Sequence, residues 1–172
     1  MPKTWRKVGM LKLYHGSNVV IDKIDLSCSR KGKDFGRGFY LNPDKSQAME
    51  MAVRTSQRMM EGKPVLNVYW FDDNILKTGS QLSVKVFCDY SVKWAEFVLK
   101  NRRNFDEAPV HSYDIVVGPI ADDTVGLQMR RFIQGYISME RMIEELKYHK
   151  PAVQYFFGTE RAIGCLKKIG NE

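Results

Sequence analysis

The chain has 172 residues, 44% apolar and 27% charged, which suits one globular domain with a single sizeable core and excludes a fibrous or extensively disordered chain. Lys+Arg 27 against Asp+Glu 20 gives a formal net charge of +7, which favours anionic partners (nucleotides, nucleic acid, acidic protein surfaces or anionic lipid) without choosing among them. Three scattered cysteines, Cys28, Cys88 and Cys165, exclude a disulfide framework and a cysteine zinc site, so reduced thiols and a cytoplasmic location are expected, with export as an effector left open.

The chain starts "MPKTWRKVGMLKLYHG", basic but without the apolar run of a secretory signal, and residues 1–9 form a basic arm with Lys3, Arg6 and Lys7. No stretch approaches the length that spans a bilayer, so no membrane partner is expected. "MLKLYHG" alternates Leu11, Leu13 and His15 against Lys12 and Tyr14, predicting a strand ended by Gly16-Ser17. The polar stretch "IDKIDLSCSRKGK" reads as a loop, and "GFYLN" as a short strand stopped by Pro43. Asp44 followed by Gln47 predicts a capping box, and Ala48, Met51, Ala52, Thr55 and Met59 continue a helix to about Met60.

"PVLNVYWFD" and "LSVKVF" read as strands, and "SVKWAEFVLKNRR" as an amphipathic helix. "YDIVVGPIADD" predicts a buried strand closed by Gly118-Pro119, with Asp122 or Asp123 capping a helix through Ile133. A second helix starts at Ser138, and its stripe of Met139, Met142, Ile143 and Leu146 reads as core rather than as a binding surface. After Pro151, "AVQYFFG" is a strand, and Thr159 caps a helix over "ERAIGCLKK". Strands and helices are interspersed without the regular alternation of a doubly wound sheet, so the fold class is α+β, one domain over residues 1–172.

The familiar catalytic motifs fail on inspection. "GRG" is not followed by Gly-Lys-Ser/Thr, "DFG" has no His-Arg-Asp loop before it, and the dinucleotide fingerprint breaks at Leu41. His15, His111 and His149 lack metal-ligand spacing, and no nucleophile elbow accompanies them, so no metal is expected. What remains is a dispersed set. His15 ends the first strand, Tyr40 follows two glycines, and Gln154 is a lone amide among Val153, Tyr155, Phe156 and Phe157. Taken singly, His15 is a turn histidine, Tyr40 a core residue, and Gln154 the exposed face of an edge strand. A buried amide, by contrast, requires hydrogen-bond partners.

Taken together, "LYHGS", then "FGRGFYL" before a helix, then a late strand with one polar residue resemble the histidine-tyrosine-glutamate branch of the ADP-ribosyltransferases, which includes diphtheria toxin and the poly-ADP-ribose polymerases. "DFGRGFYL", "YDIVVGPIADD" and "TERA" further resemble an uncharacterised bacterial family grouped with them. The resemblance implies a mixed β-sheet core split around an NAD-binding cleft and flanked by helices. It implies NAD as co-substrate, with His15 on the adenosine-side ribose, the Gly16 backbone on the nicotinamide amide, and Ser17 as an additional hydrogen-bonding group. Tyr40 would stack on nicotinamide, Gly36 and Gly38 would let the loop approach the ligand, and Phe39 would turn into the core. Arg30 would meet adenine or pyrophosphate, and Met51 stands where relatives carry a second stacking tyrosine.

Where the resemblance expects a glutamate, this chain has Gln154, an amide that positions a hydroxyl but cannot ionise. That departure favours single transfer, slow hydrolysis or no reaction over polymer formation. Glu160 is the competing catalytic acid, read also as a helix-start stabiliser. The implied function is an NAD-dependent mono-ADP-ribosyltransferase acting on a macromolecular acceptor, protein or nucleic acid. By analogy it would be a bacterial toxin or effector with an antitoxin or immunity partner. The alternatives are a non-catalytic NAD or ADP-ribose module that has lost the glutamate, and an NAD-dependent RNA 2′-phosphotransferase, which needs a second cleft histidine.

Overall fold

The computed structural model describes residues 9–77 and 80–172, so of the basic arm at 1–9 all but Gly9 lies outside the described residues. Seven strands fall into two sheets. In the first, β1 (Met10–Ser17), β3 (Val65–Asp72) and β7 (Leu166–Asn171) run antiparallel in the order β1-β3-β7. The second has the order β2-β6-β5-β4, built from β2 (Phe39–Leu41), β6 (Val153–Phe157), β5 (Ile115–Pro119) and β4 (Val84–Val86). Only its β4–β5 pair is parallel, so the sheet is mixed. Five α-helices join them among the described residues: α1 (Lys45–Met59), α2 (Val92–Arg102), α3 (Asp123–Ile133), α4 (Met139–Leu146) and α5 (Glu160–Ile163). The fold is α+β, as the interspersed pattern predicts.

Side-chain alternation along each strand sorts the residues into four layers. On β1, Leu13 joins Tyr69 and Phe71 of β3 in a core shared with Phe39, Leu41, Ile115, Val117 and Phe157 of the second sheet. The opposite face of the first sheet carries Leu66 and Val68, covered by Ala48 of α1. The opposite face of the second sheet carries Val116 and Phe156, covered by Phe35 and by Trp94, Met129, Met142 and Leu146 from α2, α3 and α4. Each fully buried side chain of this size contributes about 1.5–3 kcal/mol. The methionine stripe of α4 is core, as its spacing predicts.

Two local expectations are corrected. Asp44 does cap α1, accepting from the Ser46 and Gln47 N–H groups, but Gln47 does not close the box. Its side-chain oxygen accepts from Asn42 Nδ2 at 2.9 Å, while Asn42 Oδ1 takes the Asp44 N–H at 2.7 Å. The helix expected over "ERAIGCLKK" stops after four residues, and Leu166–Asn171 is the outer strand β7. In β7 half-buried and exposed positions alternate against β3, with Lys167 exposed and Lys168 half-buried, so what reads as the basic end of a helix is the period of a strand.

Candidate functional site

Besides their shared core, the two sheets are joined among the described residues by one backbone bridge. Tyr14 of β1 and Asn42, just past β2, exchange backbone hydrogen bonds of 2.9 and 2.8 Å. In an antiparallel ladder the next bonded pair would be Gly16 with Tyr40. That pair is not formed, and the Tyr40 carbonyl accepts from the His15 imidazole, Nδ1 to O, at 2.7 Å. The Gly16 N–H and C=O are not used on the other side either. Gly16 faces Leu66 in the β1–β3 register, and the Leu66 backbone is bonded to Glu172. Gly16 therefore presents one donor and one acceptor into the split between β1 and β2.

His15 wedges this split open. Its ring stacks on Phe39, with centroids 4.2 Å apart. Burial pushes its pKa down to about 4, with the Tyr40 carbonyl opposing and the nearby Lys33 ammonium adding to the fall. A carbonyl only accepts, so the neutral ring carries its proton on Nδ1 and leaves the Nε2 lone pair bare. Ser17 is buried on the same face of β1, and its Oγ accepts from the Val19 N–H at 3.4 Å.

Tyr40 is held from both ends. Its hydroxyl donates to Gly36 O at 2.6 Å and accepts from Phe35 N at 3.0 Å, and its ring meets Phe156 edge-on at 5.3 Å. Burial holds the phenol well above its ordinary pKa, so the hydroxyl keeps its proton. Above the ring lies the Lys33 ammonium, 4.4 Å from the centroid. Burial pushes Lys33 down to about 8, and the Arg30 and Arg58 charges push the same way. Arg30 is exposed, and it reaches the site only through this cationic group.

The loop that carries these residues is locked by Arg37, the arginine between the two glycines. Its guanidinium donates to Ser29 O and Ser27 O at 3.0 and 3.1 Å, while Ser29 Oγ accepts from the Gly38 N–H at 2.9 Å. Gly36 has φ +93°, a backbone conformation that favours glycine. Gly38 has a different purpose from the one expected. A Cβ there would lie 2.2 Å from the Phe156 ring and 2.7 Å from Phe157 O, so it lets β2 close on β6, and protein fills the space assigned to a ligand.

Gln154 lies on the Tyr40 face of the second sheet, and its Nε2 donates to Asp34 Oδ2 at 3.4 Å. Asp34 Oδ1 in turn accepts from Arg102 Nε at 2.6 Å. Neither Asp34 nor Lys33 stands out in the sequence as a site residue, since an irregular loop has no period to betray its inward positions. Met51 is half exposed on α1. Glu160 is exposed in the first turn of α5, beyond the end of β6 far from Gln154.

His111 belongs to a different environment. Its Nε2 donates to Phe35 O at 2.7 Å and its Nδ1 accepts from the Tyr113 N–H at 3.1 Å, which commits both nitrogens. It lines a cavity of about 510 Å³ with Lys31, Arg37, Glu107 and Tyr113, and of the expected site residues Gly36 alone lines that cavity. Among the described residues no group of three or more His, Cys, Asp or Glu is placed to hold a metal ion, and no helix is long and apolar enough to cross a membrane.

Over residues 11–168, from β1 into β7, the chain belongs to the family described as protein of unknown function (DUF3990). No curated protein and no solved structure matches it.

Proposed function

We propose that this DUF3990 protein is an NAD-dependent mono-ADP-ribosyltransferase that moves ADP-ribose from NAD to a macromolecular acceptor, protein or nucleic acid, and releases nicotinamide. The observation that carries the reading is the unzipped Gly16–Tyr40 pair. A backbone N–H and C=O on one residue at a free strand edge complement a primary carboxamide, whose oxygen accepts from the first and whose nitrogen donates to the second. The Tyr40 face beside them already accommodates a cation, Lys33, and the nicotinamide ring of NAD is cationic. Lys33, Arg30 and Arg58 form a positive wall suited to the pyrophosphate. His15 Nε2 is an acceptor for a ribose hydroxyl.

In this reading the C1′–N1 bond breaks with its electron pair going to the nicotinamide nitrogen, and positive charge spreads over C1′ and the ring oxygen. The acceptor's nucleophile then bonds C1′ and gives up its proton. The site contributes by fixing the two halves of NAD and by directing dipoles at the developing cation. The Gln154 amide holds a ribose hydroxyl without ionising, which fits single transfer better than chain growth. The same amide favours the second reading, a module that binds NAD without turnover. An RNA 2′-phosphotransferase is less well supported, because His111 spends both nitrogens away from Tyr40.

The test is to follow free nicotinamide from NAD with the wild-type protein, Tyr40→Ala, Gln154→Ala and Glu160→Ala. Turnover that disappears in the first two and survives in the third is the expected result. Saturable NAD binding without nicotinamide release selects the binding module, and absence of NAD binding overturns both. Intact-mass analysis of candidate acceptors then identifies the acceptor.

A further inference from the structure

We infer that Asp34 is a positioning residue that sets the polarity of the Gln154 amide, turning its nitrogen away and leaving its oxygen for the ligand; the inference rests on the reading of the cleft just given. An unrestrained glutamine amide offers either end, and only Oε1 accepts a hydrogen bond from a ribose hydroxyl as a glutamate would. Asp34 is a carboxylate, which only accepts, so the group facing its Oδ2 at 3.4 Å is the Gln154 NH₂. Oε1 is thereby turned away from Asp34.

Three further observations single out Asp34 for this task. It is rigidly held, since its other oxygen takes Arg102 Nε at 2.6 Å from α2 and its side chain is only 16% exposed. It precedes Phe35, whose N–H donates to the Tyr40 hydroxyl, so the same two residues fix Gln154 and the stacking ring. The residue opposite Gln154 on β5 is Gly118, which has no side chain to restrain the amide from the neighbouring strand. The arrangement also accounts for an amide at this position. A glutamate in its place would put two carboxylates within hydrogen-bond distance, and the like charge would raise the pKa of one of them.

The experiment measures kcat and KM for nicotinamide release by wild type, Asp34→Asn, Gln154→Glu and the double variant, alongside the ¹⁵N-edited side-chain NH₂ resonances of Gln154. Asp34→Asn lets the amide turn and is expected to lower kcat about tenfold with KM for NAD nearly unchanged. Gln154→Glu alone is expected to lose activity at neutral pH. The double variant is expected to recover it, because the NH₂ of the introduced asparagine then donates to the introduced carboxylate. Because Asp34→Asn also removes the partner of Arg102, Asp34→Asn/Arg102→Met serves as the folded control with no unpaired cation. Wild-type kcat in Asp34→Asn, or a double variant worse than both single ones, overturns the proposal. If the wild type releases no nicotinamide, the transferase reading fails separately and the resonances decide the present one. Gln154 NH₂ signals that move in Asp34→Asn support it, and unmoved signals overturn it.

Discussion

At the scale of single residues, His15 commits its two nitrogens differently, one to the fold and the other to the ligand proposed above. Nδ1–H closes onto the Tyr40 carbonyl, and Nε2 stays a bare acceptor because burial pushes the pKa down to about 4. The unfolded chain takes up this proton near the ordinary pH 6.5, whereas the folded chain refuses it until about pH 4. Between these values the unfolded state binds more protons, so stability rises with pH across the window and is fully present above it. The gap between 6.5 and about 4 corresponds to stability on the order of 3 kcal/mol, lost progressively on acidification. His111, also lowered by burial, adds to the same slope. Urea unfolding from pH 4 to pH 7 is expected to show this rise, and His15→Asn to flatten it in part. An unchanged slope in the variant would place the titration elsewhere. NAD affinity is expected to persist below pH 6.5 and to fall only toward pH 4, as Nε2 gains its proton.

At the scale of elements, β1 and α4 are legible from their periods, whereas β3 and β5, buried on both faces, are legible from their runs of β-formers and apolar residues. "MLKLYHG" and the α4 stripe form what their spacing predicts, and "PVLNVYWFD" forms the strand its β-formers predict. The illegible pieces have their period set by a neighbour. Strand β7 pairs only with β3, and "LKK" after a capped turn carries no local mark of that pairing. Gly16 is read from sequence as a ligand contact, and it also has a packing duty. A Cβ there would lie 2.1 Å from Ala48 O and 2.7 Å from Ala52 N, so the glycine seats α1 on β1. Asp114, unremarked in the sequence, ties element ends together. It is 2% exposed and accepts from Ser83 N at 2.8 Å, Thr159 Oγ1 at 2.5 Å and Arg161 Nη2 at 2.7 Å. Burial alone would raise its pKa, but the hydrogen bonds, that of Thr159 foremost, outweigh it and hold the carboxyl below the usual carboxylate value. Asp114→Ala removes the shared acceptor of the Ser83 N–H, the Thr159 hydroxyl and the Arg161 guanidinium at the junction of β4, β5 and α5, and is expected to cost about 2–4 kcal/mol. Equilibrium denaturation measures this, and a loss below ~1 kcal/mol would mean that water satisfies the site.

At the scale of the whole molecule, the candidate site belongs to neither sheet alone. His15 and Gly16 come from the first sheet and Tyr40 and Gln154 from the second, while Lys33 and Asp34 come from the loop between them. This explains why the site is only half legible. Histidine, tyrosine and glutamine lie on strands whose order is readable, but the loop charges acquire meaning only after the sheets pack through Leu13, Phe39, Tyr69 and Phe157. The same arrangement has a thermodynamic consequence. A ligand that spans both sheets binds only the assembled fold, so it stabilises the whole domain by mass action. For NAD as the proposed ligand, at a hundredfold excess over its Kd, the expected gain is about 2.7 kcal/mol, equivalent to a Tm rise of roughly 5–10 °C for a chain of this size. Tyr40→Ala removes the stacking face without touching the Gly16 edge and is expected to abolish most of that rise at the same NAD concentration. Nicotinamide alone, which lacks the ribose and pyrophosphate, is expected to give a smaller rise at any concentration that NAD saturates. A shift with NAD that survives Tyr40→Ala intact would place the ligand outside the β1–β2 split, and equal shifts with both ligands would remove Lys33, Arg30 and Arg58 from the binding surface.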